Sequence, residues 1–152
     1  MSVLIRLAVL AVVAFTIVAP RCHAADLDRT AVDFTAPADI KWVRNAAGTN
    51  EQAVLFGDPS KPGPYVVRIK WLPGNMSRPH FHPNDRFFAV ISGTWWMGTG
   101  EKFEPDSTVA APAGSYVIHY GGKVHYDGAK GEETVIQVWG MGPATATPAE
   151  KR

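Results

Sequence analysis

The sequence predicts an all-β domain, a sandwich or barrel of short antiparallel strands, on three observations. Only 19% of residues are charged while 46% are hydrophobic. Glycine and proline are frequent, at 14 and 12 residues, and turn pairs such as Pro73-Gly74 and Pro83-Asn84 recur; these residues set the backbone angles of tight turns and interrupt helices. Helical periodicity is nearly absent beyond about the first thirty residues. The 152-residue length suits one domain whose core is large enough to fold unaided.

The opening segment is of another kind. "MSVLIRLAVLAVVAFTIVAPRCHAADLD" has Arg6 near its start, an apolar run from Leu7 to Ala19, and small residues, Cys22 and Ala24, at the minus-three and minus-one positions of a cleavage site. Residues 1–24 therefore read as a secretory signal peptide, and the mature protein as periplasmic or secreted. A membrane anchor is the alternative, but the uninterrupted run is shorter than the roughly 20 residues a bilayer span needs. Cleavage removes the lone cysteine, so a metal in the mature protein must be held by nitrogen and oxygen. It also removes Arg6 and Arg21, taking the formal net charge from +1 to −1. No basic patch points to nucleic acid and no charge run to a membrane surface.

Residues 25–38 read as an irregular arm, 39–142 as the domain and 143–152, "PATATPAEKR", as a flexible tail poor in hydrophobic residues. Within the domain, "KWV", "AVLFG", "YVVRIKWL", "RFFAVISG", "TWWMG", "SYVIHY", "VHYDG" and "TVIQVWG" are rich in β-branched and aromatic residues and are bounded by Gly, Pro, Asn or Asp. Each reads as a strand, and their spacing is that of a sandwich or barrel. "FGDPSKPGPYVV" adds a proline-stiffened turn before the third.

Cleavage leaves four histidines: His80, His82, His119 and His125. Side chains alternate along a strand, so His80 and His82 share a face, their Cα atoms roughly 7 Å apart, and both rings can converge on one point. Neutral imidazole suits iron, zinc, copper, nickel and, less tightly, manganese. A third ligand must come from elsewhere in the chain.

Around these histidines the sequence resembles the cupin superfamily. Gly74, His80-Phe81-His82, position 86 and Gly93 reproduce the spacing of the first cupin signature, G-x5-H-x-H-x3,4-E-x6-G. Gly114, Gly122 and His125 match the second, G-x5-P-x-G-x2-H-x3-N, with Tyr120 in place of proline and Ala129 in place of asparagine. The resemblance implies a jelly-roll barrel, a double-stranded β-helix, with His80, His82 and His125 as ligands of one divalent transition metal near its wide end. Iron(II) is the favoured ion, with Mn, Ni, Cu or Zn as alternatives, because three-histidine sites occur in some cupin dioxygenases.

The departure from the family pattern is Arg86, which stands where most metal cupins carry glutamate. A guanidinium roughly 6 Å from a divalent ion feels about 5 kcal/mol of repulsion at an effective dielectric of 20. Three arrangements answer that charge: Arg86 turns outward to pair with Asp85 or another carboxylate, the metal is absent, or an anionic substrate group sits between ion and guanidinium, with Arg86 forking it. The last makes Arg86 a substrate-binding residue in oxygenase-type chemistry on a small anionic or carbonyl-bearing molecule. The competing class is a non-enzymatic metal- or ligand-binding module of the cell envelope.

The remaining candidates have blander readings beside functional ones. His119 reads as a partly buried structural histidine, or as a fourth nitrogen near the metal. Trp95 and Trp96 are adjacent, so only one points inward, and Met97 reads as core filler. Gln137 lies on the "TVIQVWG" strand opposite an apolar face; whether it walls the pocket as a substrate-binding residue or faces solvent is open from sequence. Glu101, Glu104 and Asp106 read as a solvated loop. The five tryptophans are consistent with pairing of two copies as a homodimer.

Overall fold

The computed structural model describes residues 26–151. The expected signal peptide, 1–24, lies outside these residues. Residues 26–34 form a short turn in which the Asp28 carboxylate accepts hydrogen bonds from the backbone N–H and hydroxyl of Thr30, at 2.9 and 2.7 Å.

From Thr35 onward the chain is a compact unit of eleven strands. They are β1 (Val43–Arg44), β2 (Asn50–Phe56), β3 (Gly63–Trp71), β4 (His80–Phe81), β5 (Arg86–Ser92), β6 (Thr94–Thr99), β7 (Val109–Pro112), β8 (Tyr116–His119), β9 (His125–Gly128), β10 (Thr134–Gly142) and β11 (Thr147–Pro148). A six-stranded sheet in the order β1-β2-β3-β10-β5-β8 faces a five-stranded sheet in the order β11-β4-β9-β6-β7. Every pairing is antiparallel, and the architecture is the all-β jelly roll expected.

The eight strands read from the sequence are all present. Three more were not anticipated: β4 has two residues between prolines, β7 is an Ala-rich stretch without β-branched bulk beyond Val109, and β11 lies in the predicted tail. The tail is thus corrected. It carries few apolar side chains, but its backbone pairs with β4, placing Thr147 opposite Phe81 and Pro148 opposite His80. Lys151 N–H and Ala149 N–H donate onward to Glu101 O and Pro79 O, both at 2.9 Å. Main-chain hydrogen bonding holds this segment where hydrophobicity does not.

Alternation decides which side chains meet between the sheets. On β10, Thr134, Ile136 and Val138 are buried; on β3, Tyr65, Val67 and Trp71; on β5, Phe88 and Val90. Trp95 of β6 is wholly buried against Phe88, their rings 4.8 Å apart, whereas Trp96 faces out under the ammonium of Lys130. Gln137 belongs to the outward parity: its Oε1 accepts from Arg68 Nε at 3.0 Å across the outer face of the six-stranded sheet. Its proposed place in the pocket wall is therefore corrected, because the apolar parity of β10 is the one that turns inward.

The signature glycines Gly74, Gly93, Gly114 and Gly122 all sit at positive φ, and Gly93 is also closely packed. Gly93 joins β5 to β6 at φ +72°, and a Cβ there would lie 2.3 Å from the carbonyl oxygen of Glu133. Gly93→Ala is expected to cost about 1–3 kcal/mol through the left-handed backbone and the clash together. Gly131→Ala, where a Cβ meets nothing within 4 Å, is the control and is expected to be near neutral. Urea midpoints of the two variants measure the difference; equal midpoints would contradict it.

Candidate metal centre

Three histidines from two segments, one in each signature block, converge on one spot. His80 sits on β4 directly opposite His125 on β9, and His82 follows two residues later on the same face. Gly122 N–H donates to His82 O at 2.7 Å, stitching the second block onto the first. The ring centroids of His80 lie 4.9 Å from those of His82 and 4.6 Å from those of His125. One donor atom from each of these three residues lies within 4.8 Å of the others.

The orientation of each ring has an identifiable cause. Nδ1 of His80 bonds the carbonyl of Arg78 at 2.8 Å, Nδ1 of His82 that of Thr145 at 3.0 Å, and Nδ1 of His125 that of Lys123 at 2.9 Å. A carbonyl only accepts, so each Nδ1 carries the hydrogen and each neutral ring turns a bare Nε2 lone pair inward. The Nε2 atoms of His80 and His82 face each other at 3.1 Å. Two such lone pairs repel unless a cation or an added proton lies between them. Nε2 of His125 is buried with no hydrogen-bond partner among the described residues. Backbone carbonyls on Nδ1 with Nε2 free are the arrangement that orients histidine for metal. Two ligands 2.0–2.1 Å from one ion are at most about 4.2 Å apart, so these three imidazoles can hold a divalent transition ion after small adjustments.

Arg86 lies in the same place. It heads the inward row of β5, opposite His119 on β8 and Gly140 on β10. Its Nη1 donates to Nε2 of His82, its guanidinium carbon is 5.1 Å from the Phe88 ring centroid, and its Nε is buried without a partner among the described residues. The outward alternative is thereby excluded. Asp85 points the other way, as its parity requires, and accepts from Gly121 N–H at 2.7 Å. Among the described residues no carboxylate forms an ion pair with Arg86.

The sequence reading missed one residue here and underrated another. Asp127 follows His125 by two positions on β9, so it shares the inward face; the signal was the H-x-D spacing on a strand. It is 7% exposed, and its Oδ1 accepts from Trp95 Nε1 at 3.1 Å. His119, 8% exposed, packs against both Trp95 and Phe88, its centroid 3.9 Å from that of His125. His119, His125 and Asp127 form a second group whose donor atoms lie within 4.8 Å of one another. The centre opens into a cleft of about 580 Å³ that His80, His82, Arg86 and Asp127 line together with apolar side chains such as Val67 and Val138.

A small antiparallel jelly roll with histidines grouped inside the barrel defines a cupin. A family model described as the ChrR cupin-like domain matches residues 30–145, and the chain belongs to that family. No curated protein matches it. Among solved structures it is similar to the polyketide cyclase RemF from Streptomyces resistomycificus (TM-score 0.64, 16% identity, 80% of this chain and 87% of that one). It is also similar to an uncharacterized conserved protein with a double-stranded β-helix domain from Klebsiella pneumoniae subsp. pneumoniae (TM-score 0.55, 27% identity, 72% and 91% covered). A third is a protein of unknown function with a cupin-like fold from Ralstonia eutropha (TM-score 0.60, 22% identity, 76% and 75% covered). For the first and third, at these identities, the likeness is one of fold.

Burial keeps His82, His119 and His125 neutral. It pushes the His82 imidazole from 6.5 to about 3, assisted by the positive charge of Arg86. It pushes His119 to about 2, assisted by His125 and then Arg86. His125 is lowered too, burial outweighing the opposing effect of the Asp127 carboxylate. The unfolded chain therefore takes up protons as pH falls below about 6.5 while folded His82 and His119 do not, so unfolding becomes easier towards acid. Metal-free protein should lose up to about 1.4 kcal/mol per pH unit for each of these two histidines between about pH 6 and pH 4. Denaturant midpoints across that range measure this, and a midpoint independent of pH would contradict buried neutral rings.

Proposed function

We propose that the chain is an exported metal-dependent cupin in which His80, His82 and His125 hold one divalent transition ion and Arg86 receives a small anionic or carbonyl-bearing substrate for oxygenase-type chemistry. The observation that carries this reading is the set of three Nε2 lone pairs aimed at one spot by backbone carbonyls, with a guanidinium beside them. Imidazole nitrogens without sulfur suit iron(II), manganese, nickel, copper or zinc, and iron(II) is the ion that oxygen chemistry favours. Such an ion supplies Lewis acidity and, in the case of iron, electron transfer to oxygen.

The protein's own part is binding and orientation. Arg86 presents a planar fork that fits a carboxylate in two hydrogen bonds, and partial burial strengthens that interaction. An anion between the ion and Arg86 neutralises both, which makes substrate binding and charge balance one event. The apolar cleft walls keep water from the substrate's non-polar part and are wide enough for a molecule well beyond a few heavy atoms. Export rests on the N-terminal segment alone.

A second reading, a non-enzymatic envelope module that binds a metal or an anion, is favoured by one observation. Arg86 already donates to the nitrogen of His82 that would ligate the ion, so metal and guanidinium compete for one lone pair. The two readings separate experimentally. Protein purified without a polyhistidine tag should contain about one equivalent of transition metal and consume oxygen with some of a panel of diketones, thiols and aromatic hydroxy acids. Metal without oxygen uptake on any of them would support the binding module instead.

Arg86→Ala separates the roles of the guanidinium. Removing the competing cation should tighten divalent-metal binding by about tenfold or more and weaken carboxylate binding by a similar factor. Calorimetric titration with cobalt(II) and with a small carboxylate reads both. Unchanged affinity for every anion tested would rule out Arg86 as the substrate fork.

A further inference from the structure

The site as described leaves a charge problem. Three neutral imidazoles and a guanidinium offer a divalent ion no negative partner, and position 86, the family's usual carboxylate, is cationic. One carboxylate lies within reach, grouped with His125 and His119. Asp127 is two residues along β9, buried, and close to His119 as well as His125.

We propose that the protein has a second, inner metal seat formed by His119, His125 and Asp127, which shares His125 with the outer seat of His80 and His82, so that one ion occupies either position. The proposal rests on the reading of the outer group as a metal site. Its donor set is two histidines and one carboxylate, the combination that leaves half an octahedron open on iron(II) or manganese(II).

Each donor is prepared for the role. His119 Nδ1 and His125 Nε2 are both buried with no hydrogen-bond partner among the described residues. A buried polar atom left unpaired costs about 1–3 kcal/mol, and two such nitrogens on neighbouring rings are a cost that a shared ion removes. Trp95 Nε1 holds one oxygen of Asp127 at 3.1 Å, which fixes the carboxylate and leaves its second oxygen for a ligand. The His119 ring packs against both Trp95 and Phe88, 5.2 and 4.6 Å between centroids, which limits its rotation. Donor atoms within 4.8 Å of one another must close by about half an ångström to reach bond lengths of 2.0–2.1 Å, a matter of small side-chain rotations.

The seats exclude each other for a chemical reason. His125 has its Nδ1 hydrogen committed to Lys123 O, so it has a single lone pair to give. The ion can lie towards His80, His82 and Arg86, where an anionic substrate would balance it, or towards His119 and Asp127, where the protein balances it. Substrate anion would then draw the ion outward.

Cobalt(II) is the probe, on metal-stripped, tag-free protein, read by equilibrium titration and by the visible absorption of the bound ion. Wild type should take up one equivalent. His80→Ala/His82→Ala, confirmed as folded by circular dichroism, should still take up one equivalent, with affinity within about tenfold of wild type and an altered absorption band; adding Asp127→Asn, which keeps an acceptor for Trp95, should weaken it about 100-fold. A folded double variant that binds no cobalt while wild type binds one overturns the inner seat and leaves the outer site standing. Wild type binding none at millimolar cobalt overturns both. If the double variant does not fold, Asp127→Asn alone decides: a changed cobalt band and affinity supports the inner seat, and an unchanged pair refutes it.

Discussion

The centre depends on three hydrogen bonds from imidazole Nδ1 to main-chain carbonyls. Without them each histidine could present either nitrogen, and rings at these separations would hydrogen-bond one another or turn to solvent. With them, the carbonyls of Arg78, Thr145 and Lys123 fix tautomer and direction together. Two of these carbonyls lie two residues before the histidine they hold, so local backbone does the work. The third, Thr145, is 63 positions away in the segment leading into β11. The C-terminal segment is therefore part of the site, since it reaches His82 only because β11 pairs with β4.

Charge is distributed unevenly around this geometry. Arg86 and Asp127 both line the cleft beside the imidazoles, Arg86 in contact with His82 and Asp127 near His119 and His125. In water such charges would be screened and of little account; here Asp127 is buried and Arg86 half-buried, so each weighs more on its neighbours. The substitution of a cation for the usual carboxylate at position 86 does not simply subtract a ligand. It makes the surroundings of His82 attractive to anions and leaves Asp127 as the built-in negative group. Selectivity for what enters the cleft then follows from charge as much as from shape.

Much of this was legible in the sequence, for definable reasons. Strands with strong alternation and clear turn punctuation, such as β3, β5, β6 and β10, announce themselves. So do His80, His82 and His125, because glycine spacing around them is constrained by turns that only those positions can make. Segments held by backbone pairing and long-range ion pairs, β4 and the C-terminal stretch with β11, leave no compositional trace, and the tail looked loose for that reason. Gln137 could not be placed because both parities of β10 contain apolar residues; the register with β3 and β5 decides it. Arg86 and Asp85 followed simple alternation, which sends the basic residue in and the acidic one out. His119 was legible as a buried histidine but not as a neighbour of His125, because the loop between them reverses the chain and brings β8 and β9, in different sheets, face to face.

The departures from the second signature are consistent with this picture. Ala129, where asparagine is usual, is wholly buried in the core cluster with Trp95 and Ile136, and there a polar amide would need partners that apolar neighbours cannot give. Tyr120, where proline is usual, is exposed on the turn before Gly122. Neither touches the imidazoles. Among the described residues five buried side-chain atoms have no partner, Arg86 Nε, His119 Nδ1 and His125 Nε2 at the histidine cluster and the Tyr65 hydroxyl and Trp71 Nε1 on β3. A domain whose net stability is about 5–15 kcal/mol can carry a few such atoms only if the surrounding barrel is well packed, and the Trp95, Phe88, Tyr65 and Ile136 core provides that packing. Ligand binding then adds stability through the groups that folding left unsatisfied, so the same atoms that weaken the empty barrel are the ones with most to gain from a cation on one side and an anion on the other.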